Sequence, residues 1–155
     1  MEPKTKVNAK EGRNDLEIIR EFDLPVELLF KAYVEPKILE QWMGTRVIKL
    51  ESRTHGAYEF ETSDNKGNVA FIAHGVIHEF KTDCRIVRTF QMKDTPFPVQ
   101  LEFLEFERLS DSKSKLTMHV IYKSVTDRDN ILRLPFAYGI NMAHNRLESI
   151  VHKLV

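Results

Sequence analysis

Cysteine and net charge are what this sequence most clearly lacks. Its single cysteine, Cys84, can form no intramolecular disulfide and no metal site built from several cysteines. We interpret Cys84 as a small core residue rather than a reactive thiol. Lys and Arg together number 23, as do Asp and Glu, so the formal net charge is zero. Without a basic excess the chain has no general attraction for phosphate backbones, and we expect no nucleic-acid partner.

Long apolar runs are also missing. No segment approaches the roughly 18 apolar residues that a membrane-spanning helix needs. Residues 1–15 lack the apolar stretch of a secretory signal peptide. We therefore expect no membrane span and a cytoplasmic location.

The common catalytic signatures are absent as well. The chain contains no GxSxG, GxxxxGK[ST], GxGxxG or HExxH motif, so nothing points to the usual hydrolase, nucleotide-binding or zinc-protease sites. His74 and His78 fall four residues apart on a predicted strand, which separates them by about 13 Å, too far to share one metal ion. We predict no catalytic residue, no metal and no cofactor.

What the sequence does contain is an ordinary globular composition. Hydrophobic residues make up 42% and charged residues 30% of the 155 positions. Chains of this length can bury about two-thirds of their unfolded surface. We expect one domain, residues 1–155, as a monomer or a homodimer.

The first third of the chain predicts a strand followed by two short helices. Alternating apolar residues predict a strand over 15–22. Asp23 as a cap and Pro25 in the first turn favour a helix to about Val34. Pro36 restarts a second helix, which Gly44 ends.

From Arg46 to Val125, the sequence follows the period-two pattern that is typical of β-strands. Turn residues divide 46–125 into about six strands, and such short turns favour an antiparallel meander. Thr126 with Asp129 resembles a capping box for a last helix, which Pro135 must interrupt or kink. Beyond the proline an apolar face implies a helix of roughly 30 Å. That face consists of Ile140, Ala143, Leu147, Ile150, Val151 and Leu154.

These elements predict an α+β domain in which a curved antiparallel sheet covers a long C-terminal helix. A sheet and one helix seldom close completely, so the gap between them is a natural site for a small molecule. Aromatic and methionine side chains converge on that gap and either line an open cavity or fill a closed core. The predicted cavity residues are Trp42, Tyr58, Phe60, His74, Phe90, Met92, Phe97, Phe103, His119, Tyr122, Phe136 and Ile140.

Two groups of polar residues have alternative interpretations. His74 and His119 are either polar contacts for a ligand or histidines with structural partners. The pairs Glu59 with Glu61 and Glu105 with Glu107 share a face within each strand, an arrangement that could supply a general acid and base. The solvated outer face of the sheet is the simpler location for all four carboxylates.

Segments along almost the whole chain resemble the activator of heat-shock protein 90 ATPase homologue family, which belongs to the SRPBCC superfamily with the START lipid-transfer domains. The resembling segments are 19–33, 35–36, 41–44, 74–76, 79–80, 106–107, 115–117, 124–129 and 145–147. The sequence differs from many relatives at 43–45, 55–56 and 134–136. The last difference makes the entrance to the final helix individual to this chain.

The resemblance implies the helix-grip fold, in which the sheet wraps the C-terminal helix. It also implies three kinds of function, because relatives bind lipids or other hydrophobic ligands, catalyse cyclisations or hydrolyses, or act as co-chaperones. We predict non-catalytic binding of a small apolar molecule, either a lipid or an aromatic compound. The alternatives are a stress-response module that contacts heat-shock protein 90 and an enzyme that uses the same cavity.

Overall fold

The computed structural model describes residues 2–154 and contains one eight-stranded sheet with four helices. The elements in chain order are β1 (Lys6–Asn8), β2 (Asp15–Phe22), α1 (Val26–Val34), α2 (Pro36–Met43), β3 (Arg46–Leu50), β4 (Ala57–Ser63), β5 (Val69–Lys81), β6 (Arg85–Met92), β7 (Gln100–Arg108), β8 (Ser114–Ile121), α3 (Val125–Leu132) and α4 (Phe136–His152). Neighbouring strands are antiparallel, in the order β1-β2-β8-β7-β6-β5-β4-β3. The predicted α+β architecture, with its six-stranded meander, is confirmed.

The N-terminal strand β1 was not predicted. It pairs with β2, placing Lys6 opposite Ile19 and Asn8 opposite Glu17. Three residues are too few to display a period-two pattern, and this segment is otherwise polar. The strand therefore depends on its partner rather than on its own sequence signal.

Two predicted helix starts need correction. Pro25 occupies the N-cap position of α1, so Asp23 does not cap this helix. Ser124, not Thr126, caps α3, because its extended backbone lets Oγ accept a hydrogen bond from the Asp127 amide at 3.1 Å. The sequence contains two overlapping pairs with capping-box spacing, and periodicity alone does not distinguish them.

Pro135 divides the last helical segment into α3 and α4, as the sequence predicts. The 17 residues of α4 span about 25 Å. Leu154 was predicted on the buried face but lies beyond the end of α4 and is exposed. No helix within residues 2–154 is both long and apolar enough to cross a membrane.

The C-terminal half of α4 is firmly anchored. Leu147 and Val151 are buried in the core. His144 is also buried, and its Nδ1 lies 2.9 Å from the Thr5 hydroxyl. Arg20 donates to Glu148 at 3.0 Å, which ties α4 to β2. The N-terminal half of α4 has fewer such ties and faces the space under the sheet.

Strands β5 and β6 approach each other closely at Gly75. The residues between the His74–Gln91 and Ile77–Arg88 pairs are not regularly paired. In this interval the Tyr58 hydroxyl donates to the carbonyl of Thr89, and a Cβ atom on Gly75 would lie 2.0 Å from the same oxygen. Only glycine fits at this position, because any side chain would collide with the backbone.

Candidate functional site

A cavity of about 400 Å³ lies between the inner face of the sheet and the junction of α3 with α4. We call it the outer chamber. Strands β4 to β6 contribute Phe60, Phe71, Ala73, Phe90 and Met92 to its wall. The helical side contributes Met43, Ile131, Leu134, Pro135 and Phe136. The lining is mainly apolar, as is typical of sites for small organic molecules.

The outer chamber opens to solvent beside the α3–α4 junction. Leu134 and Phe71 line it, yet they are 45% and 37% exposed. Large apolar side chains that are partly in water and partly in a cavity wall mark an entrance. The residue run 134–136 therefore forms part of this mouth.

A second cavity of about 220 Å³ lies deeper, and we call it the inner chamber. Trp42, Met118, Ile140 and Ala143 are among its lining residues. Both chambers are lined by Met43, Phe90, Gln100 and Phe136, so they adjoin each other. These four side chains form the boundary between the two chambers.

One wall of the inner chamber is charged. Arg88 on β6 donates from Nε to Glu102 Oε1 on β7 at 2.8 Å, and Gln100 donates to the other carboxylate oxygen at 2.7 Å. The side chains of Arg88 and Glu102 are only 13% and 6% exposed. Buried charges normally require pairing, and this wall provides it.

The electrostatics of this wall keep Arg88 charged. Burial is the largest single influence and lowers the pKa of Arg88. The charge of Glu102, the hydrogen bond that Glu102 accepts, and the nearby Tyr58 and Tyr33 together outweigh burial and raise this pKa above the ordinary value. The guanidinium also lies 5.3 Å from the ring centroid of Tyr58, within cation–π distance. Burial raises the pKa of the Tyr58 hydroxyl, which therefore stays neutral.

Tyr122 lines the outer chamber with a hydroxyl that lacks a protein partner. Its side chain is 4% exposed, and Oη is the one buried side-chain polar atom within residues 2–154 that makes no hydrogen bond. Burial raises the pKa of this hydroxyl, so it remains a neutral donor. A buried hydroxyl without a hydrogen-bond partner destabilises the fold unless a ligand or a water molecule forms that hydrogen bond.

The structure brings most of the predicted cavity residues together. Seven of them line the two chambers: Trp42, Phe60, Phe90, Met92, Tyr122, Phe136 and Ile140. Tyr58 is buried on the inner face but lines a separate hollow with His74 and Gly75. Phe97 packs against the edge of the core without lining either chamber.

Three predicted residues lie on the opposite face of the sheet, which corrects the sequence prediction. Phe103 is paired with His119, and these two alternate with the inward-facing Glu102 and Val120. His119 Nε2 instead lies 2.8 Å from an oxygen of Asp15. His74 likewise alternates with Ala73, a residue of the outer-chamber wall. Strand parity is the cause, because a shift of one residue reverses every side chain.

The four paired carboxylates also lie on the outer face. Glu59 is paired with His74, and Glu61 lies 3.4 Å from Arg46. Glu105 accepts from Arg85 at 2.8 Å, and Lys115 lies 4.0 Å from Glu107. None of the four lines either chamber as described within residues 2–154.

Comparison with known proteins agrees with this fold. The family model described as activator of Hsp90 ATPase homolog 1-like protein matches residues 23–152. A search of curated proteins finds no match. Family membership supports a ligand-binding or activator-like domain.

Solved structures show the same fold at low sequence identity. A Rhodobacter sphaeroides protein superposes with a TM-score of 0.84 at 19% identity, over 96% of this chain and 99% of its own. A Mycobacterium smegmatis protein gives 0.83 at 20% identity, over 94% and 95%. An Arthrobacter aurescens protein gives 0.86 at 14% identity, over 96% and 91%. The chain therefore belongs to the activator of Hsp90 ATPase homologue 1-like family and adopts the helix-grip fold of the SRPBCC superfamily.

Proposed function

We propose that this protein binds a small apolar molecule, a lipid or an aromatic compound, between the sheet and α4 without transforming it. The observation that carries the proposal is the apolar outer chamber of about 400 Å³ with its solvent-exposed mouth. This volume lies within the usual range of sites for small organic ligands. The proposed setting is the cytoplasm, with the chain as a monomer or a homodimer.

Burial of ligand surface would provide the driving force. Each Å² of apolar area removed from water contributes about 25 cal/mol before the costs of association. The anchored C-terminal half of α4 limits those costs, because the core there is already ordered. Micromolar affinity, about −8 kcal/mol, is the expected scale.

The lining favours binding over catalysis. Within residues 2–154, the residues around both chambers include no histidine, cysteine or serine, so they offer no Ser–His or Cys–His pair. Thr45 and Thr62 are the only hydroxyl groups there besides the tyrosines, and the Thr45 hydroxyl donates to a backbone carbonyl. Arg88 and Glu102 neutralise each other.

A titration with the neutral dye N-phenyl-1-naphthylamine tests the proposal. The dye should bind with saturation and brighten as it leaves water. Phe136→Trp should weaken this binding about tenfold or more, because Phe136 lines both chambers and the larger ring occupies the space. Phe103→Trp is the matched control, since Phe103 lies on the outer face and should leave dye binding unchanged.

Contact with a heat-shock ATPase is the second candidate, and it is favoured by the family description alone. If the dye shows no saturable binding while a pull-down recovers heat-shock protein 90 specifically, this candidate replaces the first. If a bound compound is converted during incubation, the non-catalytic part of the proposal is wrong.

A further inference from the structure

We infer that the ligand is a neutral apolar molecule carrying a hydrogen-bond-accepting oxygen, such as a ketone, ester or phenol, which Arg88 binds in the inner chamber. The inference rests on the proposed function and specifies the chemistry of its ligand. The main support is the charged wall formed by Arg88 and Glu102, and the unpartnered buried hydroxyl of Tyr122 is a second polar group beside the cavity.

The guanidinium of Arg88 has unused donors at the chamber. Its Nε donates to Glu102, whereas the two terminal nitrogens have no hydrogen-bond partner within residues 2–154. Those nitrogens keep some accessible surface, and Arg88 lines the inner chamber. A ligand oxygen placed there would accept hydrogen bonds from these terminal nitrogens.

Stability does not explain why a charged pair occupies this wall. A buried ion pair is often no more stabilising than apolar side chains of the same volume, because desolvation offsets the attraction. The neighbouring inward positions Ile86 and Phe90 on β6 and Leu104 on β7 carry such side chains. Recognition of a polar atom on an otherwise apolar ligand accounts for the pair.

Glu102 determines that the ligand is neutral. Its charge already balances that of Arg88, so a carboxylate ligand would bring an uncompensated negative charge into the cavity. A carbonyl or hydroxyl oxygen accepts the same hydrogen bonds without that cost. The chambers therefore discriminate against fatty-acid anions and for neutral oxygenated compounds of similar shape.

Tyr122 places a second polar group beside the outer chamber: its side chain lines the wall, and its buried hydroxyl can reach a ligand once the atoms that cover it move aside. It follows β8 directly, and the register of β7 with β8 places it opposite Gln100. Gln100 lines both chambers and donates to Glu102, so it connects the outer chamber, which Tyr122 also lines, with the charged wall. A ligand that fills both chambers can use both contacts.

Competition against N-phenyl-1-naphthylamine tests this chemistry with four compounds of one ring system: naphthalene, 2-naphthol, 2-acetylnaphthalene and 2-naphthoate. The naphthol and the ketone should displace the dye at concentrations at least about tenfold lower than naphthalene and naphthoate require, the scale of a hydrogen bond to a charged group. If naphthalene competes equally well, or naphthoate binds most tightly, the inference is wrong. If the dye itself does not bind, the proposed function fails first.

Two variants assign the preference to these residues. Arg88→Met combined with Glu102→Met removes the whole polar pair and should leave at most the two- to tenfold ketone-to-naphthalene preference that one neutral hydrogen bond to Tyr122 supplies. Tyr122→Phe should reduce it about two- to tenfold, the range of one neutral hydrogen bond. Tyr138→Phe, an equal change at a 70% exposed tyrosine outside both chambers, should leave it intact. A preference unaltered in the double variant would overturn the assignment to Arg88.

Discussion

Arg88 and Glu102 form an ion pair across neighbouring strands, with Nε of Arg88 2.8 Å from Oε1 of Glu102, at the wall of the inner chamber. Arg88→Met alone should lower the free energy of unfolding by about 3–5 kcal/mol, because it leaves the carboxylate buried without its partner. Urea unfolding followed by circular dichroism measures this loss. A loss below about 1 kcal/mol would show that solvent reaches Glu102.

Replacing both residues with methionine should be far less damaging. The double variant leaves no unpaired charge, and its unfolding free energy should lie within about 1 kcal/mol of the native value or above it. A double variant as unstable as Arg88→Met would show that the ion pair itself supports the fold. The pair would then need no ligand to explain it.

Leu147 on α4 tests the anchored half of the helix. It is fully buried, so Leu147→Ala should destabilise the protein by about 2–5 kcal/mol through the cavity it leaves. Leu154→Ala is the matched control, because Leu154 is 54% exposed and should cost less than about 0.5 kcal/mol. Equal effects of the two substitutions would contradict the described packing of α4.

His144 should make the fold sensitive to acid. Burial, with a further contribution from Arg20, lowers its pKa from 6.5 to about 3. His144 therefore binds a proton below about pH 6.5 in the unfolded chain but only below about pH 3 in the folded chain. Stability should fall with decreasing pH across this window, by about 1.4 kcal/mol per pH unit from this group.

A histidine substitution separates this effect from other acid-induced changes. His144→Gln keeps a polar side chain near Thr5 and Tyr33, the two hydrogen-bonding partners of His144, and should reduce the slope of stability between pH 6 and 4. His152→Gln, at an exposed position of the same helix, should keep the native slope. Denaturant midpoints at each pH give both slopes, and equal slopes for the two variants would exclude His144 as the source.

Gly75 tests the close approach of β5 to β6. Gly75→Ala should destabilise by about 1–3 kcal/mol or more, because the new methyl collides with the Thr89 carbonyl and the Tyr58 hydroxyl. Gly139→Ala is the same change inside α4, where a Cβ meets no atom within 4 Å of it among the described residues. It should stabilise by about 0.5–1 kcal/mol. Thermal unfolding distinguishes the two opposite shifts.

The sequence predicted the elements of the fold because their signals are local. Period-two strands, the turns between them and the break at Pro135 all depend on neighbouring residues. The short strand β1 escaped prediction because it exists only through pairing with β2. The cap of α3 was misplaced by two residues because two spacings matched and backbone geometry chose Ser124.

Prediction of the site was limited by strand parity. Phe103 and His119 seemed suited to a cavity by residue type, yet the register of β7 and β8 turns both outward. Strand parity could also have identified two site residues that were missed because of their residue type. Arg88 lies on the same face of β6 as Ile86 and Phe90, and Glu102 lies on the same face of β7 as Leu104. A charge in the apolar phase of a strand indicates a buried polar site.

The most direct test of ligand binding uses Trp42, the only tryptophan of the chain, which is buried at the inner chamber. 2-Bromonaphthalene quenches indole emission on contact, whereas aqueous iodide cannot reach a buried indole. We predict saturable quenching of Trp42 by 2-bromonaphthalene, little quenching by iodide, and competition by N-phenyl-1-naphthylamine. Quenching that rises without saturation, or none across the soluble range, would contradict an accessible cavity between the sheet and α4.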